Sequence, residues 1–276
     1  MSSKFFKIAC LLMVAAIVAV TMTACKKGGS KRVVVKGSTT VLPITQKAAE
    51  SFKKSSGISV FVEGSGSGNG IKALIDGSCD IANSSREMKK EEKEAAAKNG
   101  IKVREIVVAY DMIVPVVHPS NTLKNVTMDQ LKAIYDGSIT AWKALGGKND
   151  AVVVVSRDTS SGTYEIWHEK VMKKTDVTPK ALLQASNGAI ATTVAGNPKA
   201  IGYVGFGYLG DSIKGLTVND VAVTIENGKS GKFPISRKLY MYVNENKLSD
   251  EAGKFIDFLL GAEGQDLVKA AGFIPL

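Results

Sequence analysis

Strand and helix signals alternate along most of this chain, and that alternation restricts its fold more than any other feature. Val33-Val34-Val35 is a β-branched run bounded by Gly37. A helix is expected from Leu42 to Ser55, with Ile44, Ala48, Ala49 and Phe52 on one face and Gly57 as its stop. Ile58 to Val62 reads as a strand, residues 70–76 as a short helix, and residues 80–83 as a third strand. Glu91 to Lys98 reads as a helix with Gly100 as its C-cap. Two long extended stretches interrupt the alternation, one over 103–117 that breaks at Asp111 and one from Arg237 to Asn244. Between them a second set of units opens at the capping box Thr127-Met128-Asp129-Gln130. The sequence therefore predicts an α/β protein of two lobes, each a mainly parallel sheet flanked by helices. The chain would cross between them twice, with residues 31–110 and 235–276 in lobe I and residues 111–234 in lobe II.

The first thirty residues have a different character. Lys4 and Lys7 precede an uncharged, mostly apolar run from Ile8 to Val20. A basic start, a short apolar core and small residues before a break read as a secretory leader over 1–24. The run is too short for a comfortable membrane span, which takes about 20 residues. Met22-Thr23-Ala24-Cys25 resembles the bacterial lipobox, in which the cysteine is acylated and becomes the new N-terminus. Residues 25–30 then form a flexible Gly/Ser tether. Export to the cell envelope is expected, with a lipid anchor at Cys25 to the membrane, in the periplasm or on the outer face of the cytoplasmic membrane.

Composition excludes several function classes. The formal net charge of +10 favours anionic partners, but the basic residues are scattered among acidic ones, as in Lys89-Lys90-Glu91-Glu92-Lys93-Glu94. That pattern and the export signal argue against nucleic acid. The cysteines are Cys10, Cys25 and Cys79, so a processed and acylated chain keeps only Cys79 as a thiol and has no internal disulfide. Cys79 reads as a small buried residue before a strand. Only His118 and His168 are present, which leaves no basis for a transition-metal site; no metal and no cofactor is expected. Trp142, Trp167, Tyr203, Phe206 and Tyr208 read as packing for the second lobe.

The chemistry concentrates in three loops of one design: a strand, a turn rich in Gly, Ser and Thr, then a helix. They are Gly37-Ser38-Thr39-Thr40, the run Gly64-Ser65-Gly66-Ser67-Gly68-Asn69-Gly70, and the run from Ser156 to Thr163. The first N–H groups of a helix lack internal partners, and the helix dipole adds partial positive charge there. An oxyanion satisfies both. Glycine allows close backbone approach, and hydroxyls add donors. Arg157 adds a fixed charge whose planar fork suits an oxyanion, with Asp158 or a nearby carboxylate to hold it.

On these residues the chain resembles the phosphate-binding subunit of bacterial ABC phosphate importers. The pattern is Gly-Ser-Thr-Thr-Val-Leu-Pro from Gly37, Gly-Ser-Gly-Ser-Gly-Asn-Gly from Gly64, Ser-Ser-Arg-Glu from Ser84, and Ser-Arg-Asp-Thr-Ser-Ser-Gly-Thr from Ser156. The resemblance runs from Val33 to the end of the chain. It implies a type II periplasmic-binding-protein fold with the ligand in the cleft between lobes, and delivery of inorganic phosphate to the transmembrane subunits of an ABC permease by a monomer that is not an enzyme. Carried onto matching positions, Thr39 would offer its hydroxyl, Thr40 its backbone N–H, and Ser67 its hydroxyl. Arg157 would form the ion pair, and Ser161, Gly162 and Thr163 would cap the ligand. Well-known members carry an aspartate at the position of Ser85, where it accepts the proton of monohydrogen phosphate and repels sulfate. Ser85 can accept a hydrogen bond but brings no charge. Arg86 beside it would either add positive charge or pair with Glu87. Two rival readings are another tetrahedral oxyanion, such as sulfate or molybdate, and a secreted serine-dependent phosphoesterase or other hydrolase. The second is disfavoured because residue 65 is Ser, so Ser67 does not sit in Gly-x-Ser-x-Gly.

Overall fold

The computed structural model describes residues 32–276. The expectations for the leader, for Cys25 and for the tether fall outside the described residues. The strands are β1 (Arg32–Gly37), β2 (Ser59–Gly64), β3 (Ile81–Ser84), β4 (Val103–Val117), β5 (Asn125–Val126), β6 (Val153–Arg157), β7 (Leu182–Gln184), β8 (Ala200–Gly205), β9 (Lys214–Gly215), β10 (Thr217–Val218) and β11 (Ser236–Asn244). The α-helices are α1 (Leu42–Ser56), α2 (Ser67–Ile75), α3 (Lys90–Lys98), α4 (Met128–Tyr135), α5 (Gly162–Lys170), α6 (Asn187–Ala195), α7 (Ile225–Lys229), α8 (Asp250–Leu260) and α9 (Ala262–Ala270).

Local chemistry accounts for most of these boundaries. A proline stands in the first turn of α1, and Gly57 closes that helix in the left-handed region at φ 73°, returning its N–H to Lys53 O. The capping box at α4 forms as read: Thr127 Oγ1 accepts from Gln130 N and Gln130 Oε1 accepts from Thr127 N. One boundary differs in a way that matters. The helix expected over 70–76 begins at Ser67, so Ser67 and Gly68 lie in its first turn. Glycine's low helix propensity hides that turn in the sequence, and the tertiary bond from Gly68 N to Ser160 O supports it.

A nine-stranded sheet runs in the order β2-β1-β3-β11-β4-β8-β6-β7, with β9 alongside β4; β5 and β10 form a separate pair. The triplets β2-β1-β3 and β8-β6-β7 are parallel. The long strands β4 and β11 join them and pair antiparallel with each other and with β3 and β8. The first half of β4 pairs with β11 and its second half with β8.

The apolar clusters change over along the same two strands. Val108, Ala109, Leu239, Met241 and Val243 pack with Val33, Val35, Ile44, Phe52 and Phe255. Met112 to Val117, Phe233 and Ile235 pack with Trp167, Tyr203 and Val155. In the register, Asp111 and Arg237 lie opposite each other at the changeover.

Trp167 and Tyr203 stack at 4.2 Å and 9°, with Tyr135 tilted against both. The aromatic expectation holds for Trp142, Trp167 and Tyr203, all buried; Tyr208 has a further contact described below. Cys79 is half-buried rather than buried, and burial, with Asp80 adding to it, pushes its thiol up to about 12. Among the described residues no helix is long and apolar enough to cross a membrane. Trp167→Ala should cost about 3–5 kcal/mol of unfolding free energy, since it empties the centre of this cluster. Urea denaturation reads that change.

Candidate functional site

The three Gly/Ser/Thr loops are stitched to one another by their backbones. Gly37 adopts φ +131°, which lets Ser38 N reach Asn83 O at 2.8 Å. Ser65 N and Gly66 N both donate to Gly37 O at 2.8 Å, tying the second loop to the first. Gly68 N donates to Ser160 O at 3.0 Å, tying the second to the third. Within the third loop Asp158 Oδ1 accepts from Ser160 N, and Ser161 caps α5 by accepting from Tyr164 N at 3.2 Å.

The side chains then converge on one buried cluster. Thr39, Thr40, Ser67, Ser85, Arg157, Ser161 and Thr163 are each at most 4 % exposed. Thr40 Oγ1 and Thr163 Oγ1 are 3.0 Å apart, and Ser67 Oγ and Ser85 Oγ 3.2 Å. Arg157 Nη1 donates to Thr39 Oγ1 at 3.3 Å. Gly162 fills the remaining side: a Cβ there would run into Ser67 Oγ and meet Ser85 Oγ at 2.8 Å. The absence of a side chain is therefore required for α5 to start this close to α2.

Three details depart from the sequence reading. The backbone N–H of Thr40 is taken by Ser38 Oγ at 3.1 Å, so Thr40 contributes through its hydroxyl. Arg157 is held mainly by carbonyls, Nε to Gln184 O at 2.9 Å and Nη2 to Ala185 O at 3.0 Å, while Asp158 Oδ2 stands off at 3.6 Å. Burial pulls the Arg157 pKa down, and Asp158 opposes it. Arg86 neither adds an unpaired charge nor pairs with the Glu87 carboxylate. Its guanidinium forms two bonds of 2.7 Å to Glu92, an ion pair of 2.8 Å to Glu165, and a bond to Glu87 O.

Four contributors, Asn187, Arg237, Asp111 and Tyr208, were given no role at the site by the sequence reading. Asn187, at the start of α6, donates to both Thr39 Oγ1 and Thr40 Oγ1 at 3.0 Å. Arg237 donates to Thr40 Oγ1 at 3.2 Å and Thr163 Oγ1 at 3.1 Å, and is clamped by Asp111 at 2.7 and 2.8 Å. Tyr208 OH donates to Thr39 O. Burial pushes the Asp111 carboxyl up against the opposing pull of Arg237, and pulls Arg237 down against Asp111. Part of the signal was present: Asp111 is the one charged residue in the run from Ile106 to Val117.

The cluster is a collection of hydrogen-bond donors, two guanidinium groups and two helix starts, α2 and α5, around buried hydroxyls. It suits a small anion rich in acceptor oxygens. It does not suit nucleophilic catalysis by Ser67, whose hydroxyl bonds to Ser85. His118 is bonded to Ser120, and His168 stacks on Tyr164.

Comparison with known proteins agrees with this chemistry. A family model described as a PBP superfamily domain matches residues 24–263. The phosphate-binding protein PstS of Staphylococcus saprophyticus is 35 % identical over 87 % of this chain and 79 % of its own length. The phosphate-binding protein PstS of Borreliella burgdorferi is 34 % identical over 91 % of this chain and 93 % of its own. A crystal structure from Clostridium perfringens, described as a phosphate ABC transporter substrate-binding protein with bound phosphate, superposes with a TM-score of 0.84 at 37 % identity. It covers 89 % of this chain and 99 % of that one.

The Gly162 contact generates a direct prediction. Gly162→Ala should destabilise this close arrangement of α5 against α2 by about 1–3 kcal/mol, because the added methyl runs into Ser67 and Ser85. Small-angle scattering should then show a shift towards a more open form.

Proposed function

Because the chain belongs to the PBP superfamily and, within it, to the phosphate-binding proteins of ABC importers, we propose that it captures inorganic phosphate outside the cytoplasm and delivers it to an ABC permease. It is a binding protein rather than an enzyme. The observation that carries this reading is the convergence of Thr39, Thr40, Ser67, Ser85, Arg157, Ser161, Gly162 and Thr163 on one buried donor cluster. Export, removal of residues 1–24 and acylation of Cys25 belong to the same proposal, as does a monomeric state. An anchor at Cys25 would keep the protein near its permease and raise its effective concentration there.

The geometry also suggests how capture works. The site hydroxyls are buried, so an anion reaches them only when the walls part. We take residues 31–110 with 235–276 as one lobe and 111–234 as the other, with β4 and β11 as the connecting strands. Opening then separates Thr40 from Thr163 and Gly68 from Ser160. It also breaks the ion pairs of Glu165 with Arg86 and Lys89, both 2.8 Å. Phosphate would bind the donors of one lobe, and closure would bring the start of α5 onto it, so that binding selects the closed state.

Titration calorimetry of ligand-stripped protein with phosphate, sulfate, arsenate and molybdate tests the function. Micromolar or tighter phosphate binding is expected, about −8 kcal/mol; no heat with any of the four would remove the reading. Arg157→Ala should weaken phosphate binding by at least about 2 kcal/mol, roughly thirtyfold, because a buried anion loses its counter-charge. Ser85→Asp should raise the ratio of phosphate to sulfate affinity, since the new carboxylate accepts a ligand proton and repels a fully ionised anion. An unchanged anion ranking would take Ser85 out of the selectivity account.

A further inference from the structure

The first turn of α5 faces two ways. Gly162 and Thr163 lie against the buried hydroxyls, and Glu165 reaches from the same turn across the proposed cleft to the other wall. One oxygen of its carboxylate, Oε2, stands 2.8 Å from both Arg86 Nε and Lys89 Nζ. A helical turn moves as a unit, so a contact that holds Glu165 also holds Thr163 against Thr40 and Arg237.

The receiving side is complete without Glu165. Arg86 Nη1 and Nη2 donate to Glu92 Oε2 and Oε1, both at 2.7 Å, and Nη1 also donates to Glu87 O at 2.8 Å. Glu92 Oε2 accepts from Lys89 N at 2.9 Å as part of the capping box of α3. All of these bonds lie within residues 86–92, so a separation of the lobes leaves them intact. Arg86, Lys89 and Glu92 are two cations and one carboxylate, and Glu165 brings the charge that cancels the excess.

Burial decides how strong that attraction is. The side chains of Arg86 and Glu165 are 4 % and 15 % exposed, and that of Lys89 is 45 %. A fully buried ion pair loses much of its Coulomb gain to desolvation, and a fully exposed one is screened to almost nothing. This one lies between. Its guanidinium is already paired with Glu92 inside lobe I, so closure strips no water from an unpartnered cation. A groove of about 550 Å³ lined by Arg86, Lys89, Glu165, Lys170, Ser236 and Tyr240 runs alongside and gives dissolved ions access to the pair.

We propose that Glu165 is a positioning residue for phosphate capture: held between Arg86 and Lys89, it latches the closed form and sets how slowly phosphate leaves. It acts through the α5 turn and not by contact with the anion. Encounter with phosphate precedes formation of the latch, so the latch changes affinity through release. The inference rests on the phosphate and two-lobe readings and assigns the closing contact within them.

Association and release rates of radiolabelled phosphate, the latter chased with excess unlabelled anion, test this. In the unaltered chain, release should speed up roughly threefold or more between about 0.05 M and about 0.5 M ionic strength, because a partly exposed pair is screened over that range. Glu165→Gln keeps the size of the side chain and removes its charge. It should speed release roughly tenfold and leave association within about twofold. Its release should also lose most of the salt dependence; Arg157 and Arg237 remain, so whatever persists belongs to the site itself. Lys89→Gln should change release less and in the same direction. The double variant should fall short of the product of the two by roughly threefold, as residues in contact do. A purely structural role would instead lower the unfolding temperature of the ligand-free chain and leave release unchanged. Salt-independent release from the unaltered chain overturns the latch without any variant. So does a Glu165→Gln protein that releases phosphate at the unaltered rate, or one whose loss of affinity lies wholly in association. An unaltered chain that binds no phosphate would remove the reading of the site and the latch with it, whereas normal binding with unchanged release removes the latch alone.

Discussion

The pairing of Asp111 with Arg237 is the constraint on which the site depends. The two residues are direct partners in the β4–β11 register, and those strands run through the middle of the sheet. A buried ion pair is costly to desolvate and repays that cost only when its geometry is good and its remaining protons are satisfied. Both conditions are met: the carboxylate accepts from Nε and Nη2, and Asp111 Oδ1 also accepts from Phe206 N at 2.8 Å. A pair of apolar residues at these positions would pack well, but it would leave Thr40 and Thr163 without the donors that fill their lone pairs.

Around that pair, three separate parts of the chain bring their helix starts and hydroxyls together. Each loop alone would be ordinary capping. Their joint effect comes from backbone bonds between loops, from Gly37 to residues 65 and 66 and from Ser160 to Gly68, which set the spacing to a few tenths of an ångström. Gly162 then allows a contact that any side chain would prevent. Electrostatics gains from the same closeness, since donors held away from water act on an anion in a medium of low effective dielectric.

Much of this was legible in the sequence because it is local. The extended stretch read over 103–117 is strand β4, and the capping box at Thr127 forms. The three loops were visible because Gly, Ser and Thr before a helix have a direct physical meaning. What could not be read depends on register and long-range placement. Asp111 and Arg237 are far apart in the chain and meet only through strand pairing. Asn187 looks like any helix-start residue until Gly205 orients its amide. Arg86 was weighed against its sequence neighbour Glu87, whereas its partners are Glu92 in the first turn of α3 and Glu165 from a distant helix. The start of α2 at Ser67 was masked by glycines whose low propensity is offset by contacts outside the helix.

Opening and closure act on the same set of bonds. Thr40 and Thr163 come from opposite sides of the proposed cleft, and their hydroxyls bond only when they are 3.0 Å apart. If the walls part, Thr163 loses both Thr40 and Arg237, and its hydroxyl turns to water. The seam that closure remakes combines these polar bonds and the ion pairs of Glu165 with apolar packing, since Tyr208 packs against the first cluster and Ile274 belongs to the second. Water replaces the polar part when the cleft opens, while the apolar part favours the closed state.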